Sequence, residues 1–215
     1  MRIPATQTTD QQCSDIAEAA DGTLWFACNA GLLRFAGGQW TRMDTGSTSI
    51  ASGFSAVAVG TDGSLWLGAN EPGLFHAAVS GSRLSLTRIV DTWLDNTLVY
   101  FVRRDHRGWI WVGGSGGVDV YDGGRWTHLS QADGLLWDET SQNGFFEDRD
   151  GSIWIATAIG ASHILQPQAM LAYQPGKVLI TSVMQGSAPV KSGDSIRLGG
   201  RHAALTVHYA LLGKS

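Results

Sequence analysis

Asp62-Gly63-Ser64-Leu65-Trp66 and Asp150-Gly151-Ser152-Ile153-Trp154 are one five-residue phrase written twice. Asp21-Gly22-Thr23-Leu24-Trp25 is a third version. Gly108-Trp109-Ile110-Trp111, with Asp105 ahead of it, is a fourth. The aligned tryptophans Trp25, Trp66, Trp111 and Trp154 stand 41, 45 and 43 residues apart. A second glycine follows each by six or seven residues: Gly31, Gly73, Gly117 and Gly160. Repeats one and three also share Gly-Gly-x-Trp-Thr, at 37–41 and 123–127. A unit recurring every 40–45 residues marks a repeat architecture, in which each unit buries its apolar face only against its neighbours.

The grammar inside each unit selects the architecture. An apolar or alternating run comes first: Ile16 to Ala19, Ala56 to Val59, Leu98 to Val102, Gly144 to Phe146. The Asp-Gly step then supplies the positive φ that a two-residue hairpin needs. A second run, such as Leu24 to Cys28 or Trp109 to Val112, is apolar on both faces. Such a strand is covered on both sides. The later glycine turns the chain into a third run, and a more polar fourth run carries Trp40 or Trp126. Four strands in 40–45 residues is a propeller blade. The expected fold is all-β, a β-propeller of about four-stranded blades over residues 1–165, with blades at about 6–48, 49–93, 94–135 and 136–165. Gly22, Trp25, Gly63, Trp66, Gly108, Trp111, Gly151 and Trp154 are its structural anchors.

Beyond residue 165 the repeat stops. Residues 166–175, with Gln166-Pro167-Gln168, read as a linker. Residues 176–215 read as the start of a β-sandwich, with strands at 177–183, 195–198 and 204–210. Val178, Ile180 and Val183, then Leu205, Val207 and Tyr209, predict one buried face.

Composition narrows the function classes. The 215 residues are 43% hydrophobic and 16% charged, with 28 Gly and 9 Trp. That much apolar material excludes a disordered chain. The net charge is −4, and Arg103, Arg104 and Arg107 form the only basic concentration, so no basic stripe for nucleic acid is expected. No apolar run reaches about 18 residues, so no membrane contact by this segment is expected. Asp10, Asp15 and Glu18 stand where a signal peptide would be apolar. The expectation is a cytoplasmic protein if the chain is complete, or an exported one whose signal lies upstream.

No catalytic or metal site is expected. Asp148-x-Asp150-Gly151 has the flavour of a calcium loop, but Trp154 and Ile155 follow where further oxygen ligands are needed. The two aspartates read as turn-closing residues. His76, His106, His128, His163, His202 and His208 share no ligand spacing. Cys13 and Cys28 flank the first Asp-Gly turn. A two-residue hairpin would pair Cys13 with Ala30 and hold the two cysteines diagonally, about 7–8 Å apart. That predicts free thiols unless a bulge intervenes. The candidate ligand residues lie in the long connections between blades: Trp93, Asp95, Asn96, Trp137, Asp138 and Glu139. They combine stacking surface with hydrogen-bonding groups. The two tryptophans serve equally as plugs between blades.

Glu147-Asp148-Arg149-Asp150-Gly151-Ser152-Ile153-Trp154-Ile155-Ala156-Thr157, closed by Gly160, resembles the blade pattern of the two-component regulator propeller family. Asp133-Gly134-Leu135 resembles that family's inter-blade step. Pro175 to Val183 and Leu205 to Ala210 resemble strands of the three-Tyr domain that follows such propellers. The resemblance implies a periplasmic sensory region of a bacterial transmembrane receptor, without cofactor, whose output is a histidine kinase or a diguanylate cyclase. The stretch Gly134 to Thr140 leans toward the cyclase-linked members. The implied ligand is a small molecule or carbohydrate-like. Family propellers have about seven blades, and four are visible here, part of a larger ring. Either this is the C-terminal part of a longer propeller, or two chains pair their arcs as a homodimer. The competing readings are a propeller enzyme such as a metal-dependent lyase, and a protein-interaction scaffold.

Overall fold

Four antiparallel sheets follow the four repeats in the computed structural model, which describes residues 12–46, 50, 53–90, 93–172, 177–186, 188–190 and 204–212. Blade 1 is β1 (Cys13–Glu18), β2 (Leu24–Cys28), β3 (Gly31–Ala36) and β4 (Gln39–Arg42). Blade 2 is β5 (Phe54–Val59), β6 (Leu65–Ala69), β7 (Leu74–Ser80) and β8 (Arg83–Arg88). Blade 3 is β9 (Val99–Arg104), β10 (Ile110–Gly114), β11 (Gly117–Tyr121) and β12 (Trp126–Leu129). Blade 4 has β13 (Thr140–Glu147), β14 (Ile153–Thr157) and β15 (Gly160–Ile164), with no fourth strand among the described residues. Within each blade the strands lie side by side in chain order. The first strands β1, β5, β9 and β13 pack on one another from blade to blade, which places them innermost in an open arc.

The core lies between blades. One cluster joins Trp25, Ala27 and Leu32 of blade 1 to Val57, Leu65 and Leu67 of blade 2. A second joins Ala58, Trp66 and Leu74 of blade 2 to Val102, Ile110 and Val112 of blade 3. A third joins Phe101, Trp111 and Val120 of blade 3 to Ile153, Ile155 and Ile164 of blade 4. The doubly apolar second runs are therefore buried throughout in β6 and β10. In β14 burial alternates, because one side of blade 4 has no neighbour among the described residues.

The hairpins differ from the two-residue turn expected. In all four repeats the loop is three residues long. Ala19 N–H donates to Thr23 O and Gly22 N–H to Ala19 O, and the pattern recurs at 60–64, 105–109 and 148–152. This is a type I turn closed by a left-handed glycine, and Gly22, Gly63, Gly108 and Gly151 have φ of +81°, +81°, +86° and +81°. The aspartate explains the choice. Asp21, Asp62 and Asp150 each accept the N–H two residues on, from Thr23, Ser64 and Ser152 at 2.9–3.0 Å. That bond stabilises the type I turn and leaves the following glycine to absorb the positive φ.

The longer loop changes the register and overturns the free-thiol expectation. Glu18 now pairs with Leu24 and Asp15 with Ala27, and a bulge between Cys13 and Asp15 sets Cys13 directly opposite Cys28. Their Cα atoms are 3.9 Å apart and the sulfurs are bonded. The bridge spans 15 residues of chain. Replacing both cysteines by serine is expected to cost about 2 kcal/mol in urea unfolding, mainly by freeing the unfolded chain. Thiol titration of the denatured, unreduced protein is expected to find no free thiol.

Residues 166–175, read as a linker, contain a short helix, α1 (Pro167–Leu171), whose Leu171 packs into the third core cluster together with Met170. From residue 172 the chain forms a separate unit. It has β16 (Lys177–Gln185) between β17 (Ala188–Pro189) and β18 (Leu205–Leu212). The strand expected at 195–198 lies outside the described residues. Ile180 pairs with Tyr209 and Val183 with Val207. The face expected to be buried is open: Ile180, Leu205, Val207 and Tyr209 are exposed, because no second sheet among the described residues covers them.

Candidate functional site

The inner strands carry a polar hub that joins all four blades. Asp15 sits at the bulge of β1, with its side chain almost fully buried. Its carboxylate accepts Ile16 N–H of its own strand at 2.9 Å and Val57 N–H of blade 2 at 2.9 Å. Arg103, on β9 of blade 3, grips the same carboxylate with both terminal nitrogens, at 2.7 and 2.8 Å. Its Nη2 also donates to Asn143 Oδ1 of blade 4 at 2.9 Å. Asn143 has φ +55°, the one left-handed non-glycine among the described residues, within the irregular part of β13. A planar guanidinium suits this task, since one fork satisfies two carboxylate oxygens and a carbonyl in one plane.

The sequence marks Arg103 only as part of a basic concentration and Asp15 only as an acidic residue near the start, and nothing local pairs them, although a signal was present. Arg103 lies opposite the anchor Trp111, where the first two repeats place Ala17 and Ala58 opposite Trp25 and Trp66. A charge replacing a small apolar residue on an inner strand calls for a partner.

Arg107, from the same basic concentration, staples blade 3 to blade 4. It bonds Asp105 Oδ2 at 3.0 Å, Glu147 Oε1 at 3.4 Å and the carbonyl of Gly151. His106 bonds Glu147 as well. Asp105 is buried and accepts from Arg107 N–H, Trp109 N–H and Trp111 Nε1 at 2.9–3.1 Å. It takes over the turn-closing role that Asp21, Asp62 and Asp150 play elsewhere. The Asp148-x-Asp150 pair closes its turn too, with Asp148 Oδ1 accepting Arg149 N–H at 2.7 Å. Among the described residues, no group of three His, Cys, Asp or Glu side chains is arranged to hold a metal ion.

The six predicted ligand residues fall in two of the blade-to-blade connections, at the blade end opposite the Asp-Gly turns. Trp93 opens a short 3-10 turn (Trp93–Asn96), is 72% exposed, and stacks on His128 at 4.7 Å and 16°. The Asp95 carbonyl accepts from Arg88 at 3.0 Å, and Asn96 is exposed. His128 Nδ1 lies 3.2 Å from Asp119. Burial pushes the Asp119 carboxyl above the ordinary carboxylate range, and His128 partly opposes that. Trp137 is 41% exposed; Asp138 accepts Gln131 N–H at 2.7 Å, and the Glu139 carbonyl accepts Ala158 N–H at 3.0 Å.

None of these six lines any of four clefts, of about 370–460 Å³ each, that open between described residues. One, about 460 Å³, lies between blades 2 and 3 at the Asp-Gly end, lined by Asp62, Ser64, Trp66, His76, Tyr121 and Trp126 among others. Ser64, through its hydroxyl and its N–H, holds the Asp62 carboxyl below the usual range. A cleft of about 370 Å³ occupies the same place between blades 1 and 2, lined by Asp21, Trp25 and Arg34. Recurrence at equivalent positions makes these clefts products of the repeat. Between blades 3 and 4 the Arg107 side chain reaches across to Gly151 at that end.

No protein-family profile matches the chain, and no curated protein matches it in sequence. Solved structures do match its fold. The extracellular domain of the hybrid two-component system BT4673 of B. thetaiotaomicron aligns with a TM-score of 0.55 at 20% identity, over 71% of this chain and 21% of its own length. That of the hybrid two-component system BT3049 from the same organism aligns at 0.55 and 14% identity, over 97% of this chain and 34% of its own. Virginiamycin B lyase of Staphylococcus aureus aligns at 0.50 and 14% identity, over 71% of this chain and 55% of its own. The chain thus spans a fifth to a third of the two extracellular domains. At these identities the likeness is one of fold, a run of propeller blades.

Proposed function

We propose that this chain is part of the sensory input region of a bacterial transmembrane receptor, periplasmic in location, with its propeller blades followed by a three-Tyr-type β unit at 176–215. The observation that supports it most is the fold likeness to an extracellular domain of a two-component system, which runs along 97% of the chain. The output domain is a histidine kinase or a diguanylate cyclase. The input is a small or carbohydrate-like molecule, taken up at the connections that carry Trp93, Asp95, Asn96, Trp137, Asp138 and Glu139. Exposed indole faces beside carboxylate and amide groups are suited to the apolar face and hydroxyl rim of a sugar ring. Relay requires two arrangements whose populations the ligand biases.

The test is calorimetric titration of the chain with a panel of neutral mono- and oligosaccharides. The sugar that binds is expected to lose at least tenfold in affinity to Trp137→Ala and to Asp138→Ala, with the melting temperature unchanged. Unchanged affinity in both variants overturns the site assignment. The competing enzyme reading is supported by the fold shared with virginiamycin B lyase. Turnover of a bound panel member would favour it.

A further inference from the structure

The three junctions where one blade follows another are built alike at the Asp-Gly end and differ in one residue type. Between blades 1 and 2 the cleft is lined by Asp21, Trp25 and two arginines, Arg34 and Arg104. Thr23 holds the Asp21 carboxyl below the ordinary range through its N–H and its side chain, and the Arg34 charge adds to that. Between blades 3 and 4 Arg107 bonds Asp105 and Glu147, and its guanidinium lies over the Trp109 ring at 5.7 Å. Each of these two junctions thus sets an arginine of the chain beside a carboxylate and an indole, two groups that both attract a cation.

The junction of blades 2 and 3 has the carboxylate and more aromatic surface. Its cleft of about 460 Å³ is lined by Asp62, Trp66, His76, Tyr121 and Trp126, and no lysine or arginine is among the described residues around it. The rings form one continuous cluster. Trp66 lies 4.6 Å from His76, 5.4 Å from Tyr121 and 5.8 Å from Trp126, and Tyr121 and Trp126 are 5.1 Å apart. Asp62 Oδ1 accepts the Ser64 N–H at 3.0 Å and the Ser64 hydroxyl at 2.6 Å, so both bonds fall on the same oxygen. The exchange of residues is visible in the register. Arg34 stands opposite the anchor Trp25, whereas His76 stands opposite Trp66, with Nε2 tied to Ser64 Oγ at 2.8 Å. An imidazole takes the place of a permanent cation there.

We propose that this cleft binds the cationic head of a small molecule, an alkylguanidinium group, between the Trp66, Tyr121 and Trp126 rings and the Asp62 carboxylate. The ligand brings the charge that the chain itself provides at the two neighbouring junctions. Aromatic faces attract a cation through their quadrupole, and the carboxylate fixes it by charge-assisted hydrogen bonds. Ile89 and Ile110, which also line the cleft, suit the alkyl part. A neutral ligand forgoes both attractions. The site lies inside the run of blades, at the end opposite the connections that carry Trp93 and Trp137, and it does not rest on the proposed sensory function.

The experiment is calorimetric titration of the 215-residue chain with butylguanidinium and with butylurea, its uncharged planar isostere. Butylguanidinium is expected to bind roughly tenfold more tightly or better, the size of effect that a desolvated cation–π contact gives. Asp62→Asn keeps an acceptor for the Ser64 N–H and removes the charge, and Trp126→Leu removes one ring. Each is expected to weaken butylguanidinium roughly tenfold. His76→Arg gives blade 2 the arginine that blade 1 has, and is expected to abolish binding by filling the cleft from within. Thermal unfolding checks that each variant is folded. Butylurea binding as tightly, no binding of butylguanidinium at millimolar concentration, or binding that survives both Asp62→Asn and His76→Arg would each overturn the inference.

Discussion

Asp105→Ala is expected to destabilise the protein by about 4 kcal/mol, the largest loss of any single substitution considered. The carboxylate is fully buried and serves two backbone N–H groups, the indole N–H of Trp111 and the Arg107 guanidinium. Removing it leaves buried donors unpaired, at about 1–3 kcal/mol for each group that water cannot reach. It also leaves a mostly buried arginine with one carboxylate fewer. The loss falls short of a simple sum because Arg107 keeps Glu147 and the Gly151 carbonyl. Asp105→Asn retains an acceptor for the N–H groups and gives up the charge, so about half the loss is expected. Urea unfolding followed by tryptophan fluorescence measures both. Equal midpoints for wild type and Asp105→Ala would refute the role of this carboxylate.

Arg103→Ala is expected to cost about 3 kcal/mol. Asp15 then remains buried and charged, keeping only the N–H groups of Ile16 and Val57. That places the effect at the lower end for breaking a buried pair, since the Arg103 side chain is itself about a quarter exposed. In a chain of this length the change lowers the melting temperature by roughly 6–12 °C. Arg103→Lys is expected to recover little, because an ammonium cannot serve two carboxylate oxygens and the Asn143 amide in one plane. The double variant Asp15→Ala, Arg103→Ala should cost clearly less than the two single losses added together. Strict additivity would mean that the pair does not couple blades 1 and 3.

The fold was legible because its determinants are local. A glycine that must take positive φ, a turn-closing aspartate and a doubly apolar strand are each written within about ten residues. Four phased copies then fix their common spacing. The exact loop length was not legible. Asp-Gly permits a two- or a three-residue turn, and one residue of difference moved every pairing in the first hairpin. That shift, with the bulge before Asp15, made a disulfide out of two cysteines expected to miss one another. In the second unit, the pairing of Ile180 with Tyr209 follows from alternation, but burial depends on a covering layer that one strand pair does not contain.

The candidate sites divide in the same way. Trp93 and Trp137 announce themselves by standing outside the repeat, and the structure leaves both well exposed. The Asp15–Arg103–Asn143 hub joins residues 88 and 40 positions apart, and no local pattern connects them. By itself, the sequence determined that strands form, that they group in fours and that tryptophans anchor each group, because periodicity and turn chemistry act between near neighbours. Only the tertiary structure decided which charges meet on the inner strands and that Cys13 reaches Cys28. Those outcomes depend on register and on the curvature of the blades about their centre, which sum over the whole chain.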